Sequence, residues 1–197
     1  MDEFRILSAT AILGYGFPIS SFEAGLARKP HLIAVDAGST DPGPYYLGAG
    51  VSFTDRDAVK RDLELMLKAG IPAGIPIVIG TAGGSGGDAH LAWNQAIIEE
   101  IAKEQGLHFN MAVIHAEIPK DDVLKKLKDG HVHPLPPAKQ LEAEDLEQTV
   151  SVVAQMGIEP IIKALDAGAQ VVLAGRCYDP AVFAAPAVRA GFDKGLA

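Results

Sequence analysis

Cysteine is all but absent from this sequence. Cys177 is the only one in 197 residues, which excludes an intrachain disulfide and a cysteine-based zinc cluster. Aromatic residues are scarce too, at 6% against 48% hydrophobic residues in all, so the core is expected to be aliphatic, built from Val, Ile, Leu and Ala. No apolar run approaches the roughly 20 residues needed to cross a bilayer. The start, Met1-Asp2-Glu3-Phe4-Arg5, lacks the basic character of a secretory signal. These absences predict a cytoplasmic protein with no membrane partner. Positive charge is also in deficit, with a formal net charge of −8. An acidic chain does not attract a phosphate backbone through its overall field, so nucleic acid is not an expected partner. A local basic pocket for a small anionic metabolite is still compatible with that charge.

What is present is an alternation of apolar, β-branched runs with amphipathic segments. Strands are expected at Ile6 to Leu13, His31 to Val35, Ile75 to Ile79, Asn110 to Ile114 and Gln170 to Ala174. Helices are expected between them. One starts near Pro18 with Ser20 and Glu23 at capping-box spacing. A second runs from a Thr54 cap to Ala69, stopped by Gly70. Others cover Asp88 to Gln105, Pro119 to Lys128, Glu144 to Met156, Glu159 to about Gly168, and Pro180 to Ala190. Residues 130–141 carry Pro134, Pro136 and Pro137 and are expected to form an irregular connector. Strands without polar alternation are buried on both faces. The fold class is therefore a single α/β domain over 1–197, with a mainly parallel sheet of about five or more strands and helices on both faces, Rossmann-like and three-layered.

In such sheets ligands bind beyond the carboxyl ends of the strands, which directs attention to five loops. The first holds Gly14 and Gly16 ahead of a helix, where backbone amides can receive an anion. The second, Asp36-Ala37-Gly38-Ser39-Thr40-Asp41, offers carboxylates and the Ser39 and Thr40 hydroxyls, oxygen ligands suited to Mg²⁺ or another divalent cation. Its D-x-G-x-T spacing matches the phosphate loop of actin-like ATPases, but Pro42 and Pro44 forbid the hairpin that motif needs. The third runs from Thr81 through Gly83, Gly84, Ser85, Gly86 and Gly87 to Asp88 and His90. It lacks the Lys and Ser/Thr of a P-loop. It matches G-x-G-x-x-A, but the acid expected about 20 residues later is missing. Its glycines permit close backbone approach, and its amides are candidates for holding an anion.

The fourth loop carries His115 and Glu117, placed on one face by strand alternation and suited to acid–base work. His131 and His133 have zinc-like spacing without an evident third ligand. The fifth offers Arg176, whose planar fork suits a carboxylate or phosphate, with Asp179 beside Pro180. The site expected from these loops has Asp36, Asp41, Asp88, His90, His115 and Glu117 as candidate catalytic residues. Asp36, Asp41 and Asp88 are the metal ligands if a metal binds.

The stretches "DAGSTDPGPYYLG", "IGTAGGSGGDAH", "VAQMGIEPIIKALDAGAQVVLAGRCYDPAVFAA" and "GFDKGLA" occur in this order along nearly the whole chain. Together they resemble the amino-terminal half of the acyclic terpene utilisation (AtuA-type) proteins. The resemblance implies a metabolic, catabolic context, with a CoA thioester as a possible substrate, and assigns no reaction. It also implies a longer family architecture, whose carboxyl-terminal half would be supplied elsewhere, by a second subunit for instance. Homo-oligomerisation is expected. The leading functional expectation is an enzyme acting on a small carboxylate or acyl-CoA metabolite by acid–base chemistry of hydratase, lyase or isomerase type. The competing expectations are a nucleotide- or CoA-binding subunit that needs a partner chain, and a structural or interaction domain.

Overall fold

The computed structural model describes residues 3–38 and 42–195. Five parallel strands form one sheet: β1 (Ile6–Ser8), β2 (Leu32–Asp36), β3 (Ile77–Gly80), β4 (Met111–Ile114) and β5 (Val171–Ala174), in the order β1-β2-β3-β5-β4. The register pairs Asp36 with Gly80 and Ile79 with Leu173, so the carboxyl ends of β2, β3 and β5 are level with one another.

Strand alternation sends Ile33, Val35, Ile77, Ile79, Val171 and Leu173 to one face, where they meet α1 (Ile19–Leu26), α3 (Arg56–Ala73) and α4 (Asp88–Gln105). Leu32, Ala34, Val78 and Val172 point the other way, onto α7 (Glu159–Asp166) and α8 (Ala181–Arg189). The three-layer α/β arrangement is thus the expected one, and its core is aliphatic. β3 feeds a helix on the first face, while its neighbour β5 feeds a helix on the second. Their helices diverge, as at the switch point of open α/β sheets, while the two loops are tied together by the Thr81 N–H donating to Gly175 O and the Arg176 N–H donating to Gly86 O.

Several local expectations are corrected. β1 stops at Ser8. α1 has Pro18 before it and no side-chain cap, so Ser20 and Glu23 form no capping box. Asp55, not Thr54, caps α3 by accepting from the Asp57 and Ala58 N–H groups, and the helix runs through Gly70 and Pro72 to a left-handed Gly74. A short helix, α2 (Tyr45–Ala49), follows the second loop and buries none of its residues. After α5 (Lys120–Lys128) comes α6 (Ala143–Gln148), which ends well before Met156.

Beyond α6 the chain is extended. The Ile118 N–H donates to Val152 O, the Ala154 N–H to Ala116 O, and the Met156 N–H to Arg176 O. This segment therefore ties the loop after β4 to the loop after β5. Its Val150-Ser151-Val152-Val153 run favours extended backbone over helix. No helix among the described residues is long and apolar enough to cross a membrane.

Candidate functional site

The loops after β2, β3 and β5 bring Asp36, Thr81, Arg176, Cys177 and Asp179 together at the carboxyl end of the sheet. Asp36 ends β2 and is only 9% exposed. Glycine at 80 makes room beside it. A Cβ there would lie 2.5 Å from both Cys177 Sγ and Val182 Cγ1, and 3.6 Å from Asp36 Oδ1. That Oδ1 is buried without a hydrogen-bond partner among the described residues. Burial pushes the Asp36 carboxyl from its ordinary 3.8 up to about 7. Asp179 adds in the same direction, and the Thr81 hydroxyl, the Gly38 backbone and Arg176 offset only part of the rise.

Thr81 follows β3 with φ +48° and is fully buried. A β-branched residue in the left-handed region is strained and persists only where its surroundings hold it. Here its N–H donates to Gly175 O and its hydroxyl to Cys177 O at 3.3 Å. A hydroxyl has one hydrogen, so this bond competes with any support for Asp36. Burial pushes the Cys177 thiol up as well, which keeps it protonated and a poor nucleophile at neutral pH.

Arg176 is 8% exposed. Its ion-pair partner among the described residues is Asp179, at 3.9 Å, a separation beyond hydrogen-bond distance. Desolvating a guanidinium is costly unless its donors are used, and the Asp179 contact uses none of them.

The glycine-rich loop forms a wall behind this cluster and is packed by the chain itself. A Cβ on Gly83 would meet His90, one on Gly84 the Phe53 ring, one on Gly87 Glu117 and Leu47, and one on Gly86 the Arg176 backbone N at 2.2 Å. Gly83, Gly84, Ser85, Gly86 and Gly87 are all buried. Gly84 and Gly86 donate their N–H groups within the loop, to Thr81 O and Ala82 O. Gly87 precedes α4 and offers no side-chain cap. Glu117 takes over that task, its Oε1 accepting from the Asp88 N–H at 2.8 Å. Asp88 is therefore the first residue of the helix rather than its cap.

On the far side of this wall, His115 Nδ1 lies 2.8 Å from Asp88 Oδ1, with both side chains exposed. With Nδ1 engaged by the carboxylate, Nε2 is the nitrogen left to exchange protons with solvent or a ligand. His115 and Glu117 thus meet Asp88 as a group.

His90 is placed differently. It is 1% exposed, and its Nε2 lies 3.0 Å from both Tyr46 O and Val51 O. Two carbonyl acceptors require the proton on Nε2. His90 therefore tethers the segment around α2 to α4. Its Nδ1 is buried without a partner among the described residues.

Gly14 and Gly16 are occupied within the chain. Their N–H groups donate to Asp62 Oδ2 at 2.9 and 3.0 Å, and Asp62 is fully buried. Asp62 shares the apolar face of α3 with Val59, Leu63 and Met66, and a carboxylate on that stripe was the available signal for its role. Asp62→Ala strands two partly buried amides and is expected to cost about 1–3 kcal/mol in a urea melt. A loss below about 0.5 kcal/mol would mean that the first loop does not depend on it.

His131 and His133 are exposed in the connector. Ser39, Thr40 and Asp41 lie outside the described residues. Among the described residues no group of three or more His, Cys, Asp or Glu is placed to hold a metal ion. Sequence reasoning did not single out the strained backbone of Thr81. No residue pattern announces a positive φ at a threonine, because packing imposes it.

Comparison with known protein families gives a match. The family described as acyclic terpene utilisation family protein AtuA matches residues 56–191, well over half of the chain. No curated protein and no solved structure matches.

Proposed function

The chain belongs to the acyclic terpene utilisation family, and from that premise we propose that it is an enzyme, or the larger piece of one, that moves a proton on a small carboxylate or its CoA thioester. The observation carrying this reading is Asp36, a buried carboxyl at a strand's carboxyl end with a value near 7, beside the nearly buried Arg176. A proton-transfer group works best when its pKa lies near the working pH. Arg176 would hold the anionic end of the substrate, and Asp36 would give or take the proton at the adjacent carbon or oxygen. Addition of water, its elimination and double-bond migration all use such a pair. His115, oriented by Asp88, would exchange protons with solvent on the other side of the glycine-rich wall.

The test is isotope wash-in. The chain is incubated in D₂O with a panel of small carboxylates and acyl-CoA esters, and deuterium at carbon is read by NMR. Wild type is expected to label at least one compound. Asp36→Asn is expected to slow labelling by about 100-fold or more, the usual scale of general acid–base catalysis. Labelling that survives Asp36→Asn unchanged would remove Asp36 from the reaction.

A second reading is that a partner chain completes the site. It is favoured by Tyr15, Ile19, Tyr45, Val51, Val150 and Tyr178, large apolar residues exposed by 47–72% in the loops and helix starts that follow β1, β2 and β5 and in the extended segment above β4. Apolar and aromatic surface of this kind is common where chains meet. Labelling by the lone chain would sink the view that it only binds.

A further inference from the structure

We propose that a cleft between the start of α4, the β4–α5 loop and the extended 150–152 segment binds a small zwitterion, an amino acid with an aliphatic body. This cleft is apart from Asp36 and Arg176, and the inference does not rest on the acid–base reading above.

The cleft encloses about 270 Å³. Asp88, Glu117 and Lys120 line it, and Ile118, Val150 and Val152 give it an apolar surface. Long-range pairing builds it. The Ile118 N–H donates to Val152 O and the Ala154 N–H to Ala116 O, which holds the extended segment against the β4–α5 loop. The Glu117 carboxylate, by accepting from the Asp88 N–H, ties that loop to α4. Three segments distant in sequence thus close round one space. Clefts for drug-sized ligands run to roughly 300–1,000 Å³, so the occupant is a small molecule.

Opposite charges share this space without pairing. Glu117 spends Oε1 on the Asp88 N–H, and Asp88 spends Oδ1 on His115 Nδ1. The second oxygen of each carboxylate has no hydrogen-bond partner among the described residues. Lys120 forms no ion pair among them either. Its ammonium is engaged there by Glu147 O at 3.4 Å, long for a bond of this kind. Opposite charges in one small cleft gain by meeting. Where the chain holds them apart, a molecule carrying both charges completes both.

The chemistry of each end follows. An ammonium donates three hydrogens and suits the two spare carboxylate oxygens. A carboxylate suits Lys120, whose four-carbon stem lets its point charge move to the ligand. The Ser151 hydroxyl, in the same wall, has no partner among the described residues, a hydrogen bond the chain leaves unmade. An aliphatic body would cover Val150, which is 72% exposed. A plain amine would leave Lys120 unpaired, and a plain carboxylate would leave Asp88 and Glu117 so.

Titrations followed by ¹H–¹⁵N NMR test this, and the spectra themselves show whether each variant is folded. L-norvaline is compared with butylamine and pentanoate, which are norvaline without its carboxylate and without its ammonium. Norvaline is expected to shift the amide signals of Asp88, Glu117 and Val152 saturably. It should bind about fivefold more tightly than either half molecule, the scale of one partly exposed ion pair. Glu117→Gln keeps an oxygen for the Asp88 N–H and should weaken norvaline and butylamine about fivefold, leaving pentanoate unchanged. Lys120→Met should weaken norvaline and pentanoate and leave butylamine unchanged. Arg176→Gln should leave norvaline binding intact, so failure here is read separately from failure of the Asp36–Arg176 site. Butylamine or pentanoate binding as tightly as norvaline would overturn the zwitterion, a result that needs only the wild-type chain. No saturable shift at these residues with any of the three would overturn the site.

Discussion

Asp36→Asn is expected to make the protein more stable at pH 8, by an amount on the order of 3 kcal/mol, while removing its proposed activity. The folded-state value near 7 lies above the ordinary 3.8, so between those values the folded protein holds a proton that the unfolded chain has released. The stability this provides is fully present below about pH 3.8. It declines as pH rises and is lost once pH passes about 7. Three pH units of such linkage correspond to about 4 kcal/mol. A buried amide keeps some desolvation cost and loses the attraction of Arg176, which lowers the net gain. Urea midpoints measured from pH 4 to pH 8 check this directly. The wild-type midpoint should fall across the range relative to that of the variant. Parallel curves would mean that Asp36 is not a buried, uncompensated carboxyl. Gain of stability with loss of activity is the pattern expected where function holds a group in an unfavourable place.

Gly86→Ala is expected to be the most damaging small substitution in the glycine-rich loop, costing about 3 kcal/mol or more. Gly86 has φ +73°, and a Cβ there would lie 2.2 Å from Arg176 N and 2.5 Å from Arg176 Cα. The left-handed conformation alone costs a non-glycine residue about 1–2 kcal/mol. The clash adds more, because the obstructing atoms are backbone and cannot rotate away as a side chain would. The bond from the Arg176 N–H to Gly86 O, 2.9 Å long, would be disrupted, and with it the position of the guanidinium. Gly106→Ala is the control. Gly106 has φ +62° with nothing within 4 Å of the added Cβ, so it should cost only the about 1–2 kcal/mol of the left-handed conformation itself. Equal losses in urea melts of the two variants would mean that the glycine-rich loop does not press on Arg176. A larger loss at Gly86, with weakened ligand binding in whatever folded fraction persists, is the expected result.

The sequence by itself determined the layers. Apolar runs such as Leu32–Val35 and Ile77–Ile79 lack polar alternation, and that is a local property which buries a strand on both faces. The parallel sheet, the helices flanking it and the collection of chemistry-bearing loops at one edge follow from this pattern. Segments whose outcome depends on distant partners were not legible. Residues 149–156 read as a continuation of a helix, yet they are extended because Ala116, Ile118 and Arg176 supply backbone partners. Asp88 marks the start of a helix in the sequence, yet the carboxylate that caps this helix comes from Glu117, 29 residues away. His90 read as a candidate for the site, yet two carbonyls near α2 hold it. Gly14 and Gly16 read as open amides, yet Asp62 occupies them.

Only the tertiary structure brought Asp36, Thr81 and Arg176 together as neighbours. The reason is physical. Helical and strand periodicities are written within a few residues of chain. The burial that raises Asp36, the contacts that hold Thr81 at positive φ, and the wall that Gly86 builds against Arg176 are each made between loops separated by dozens of residues.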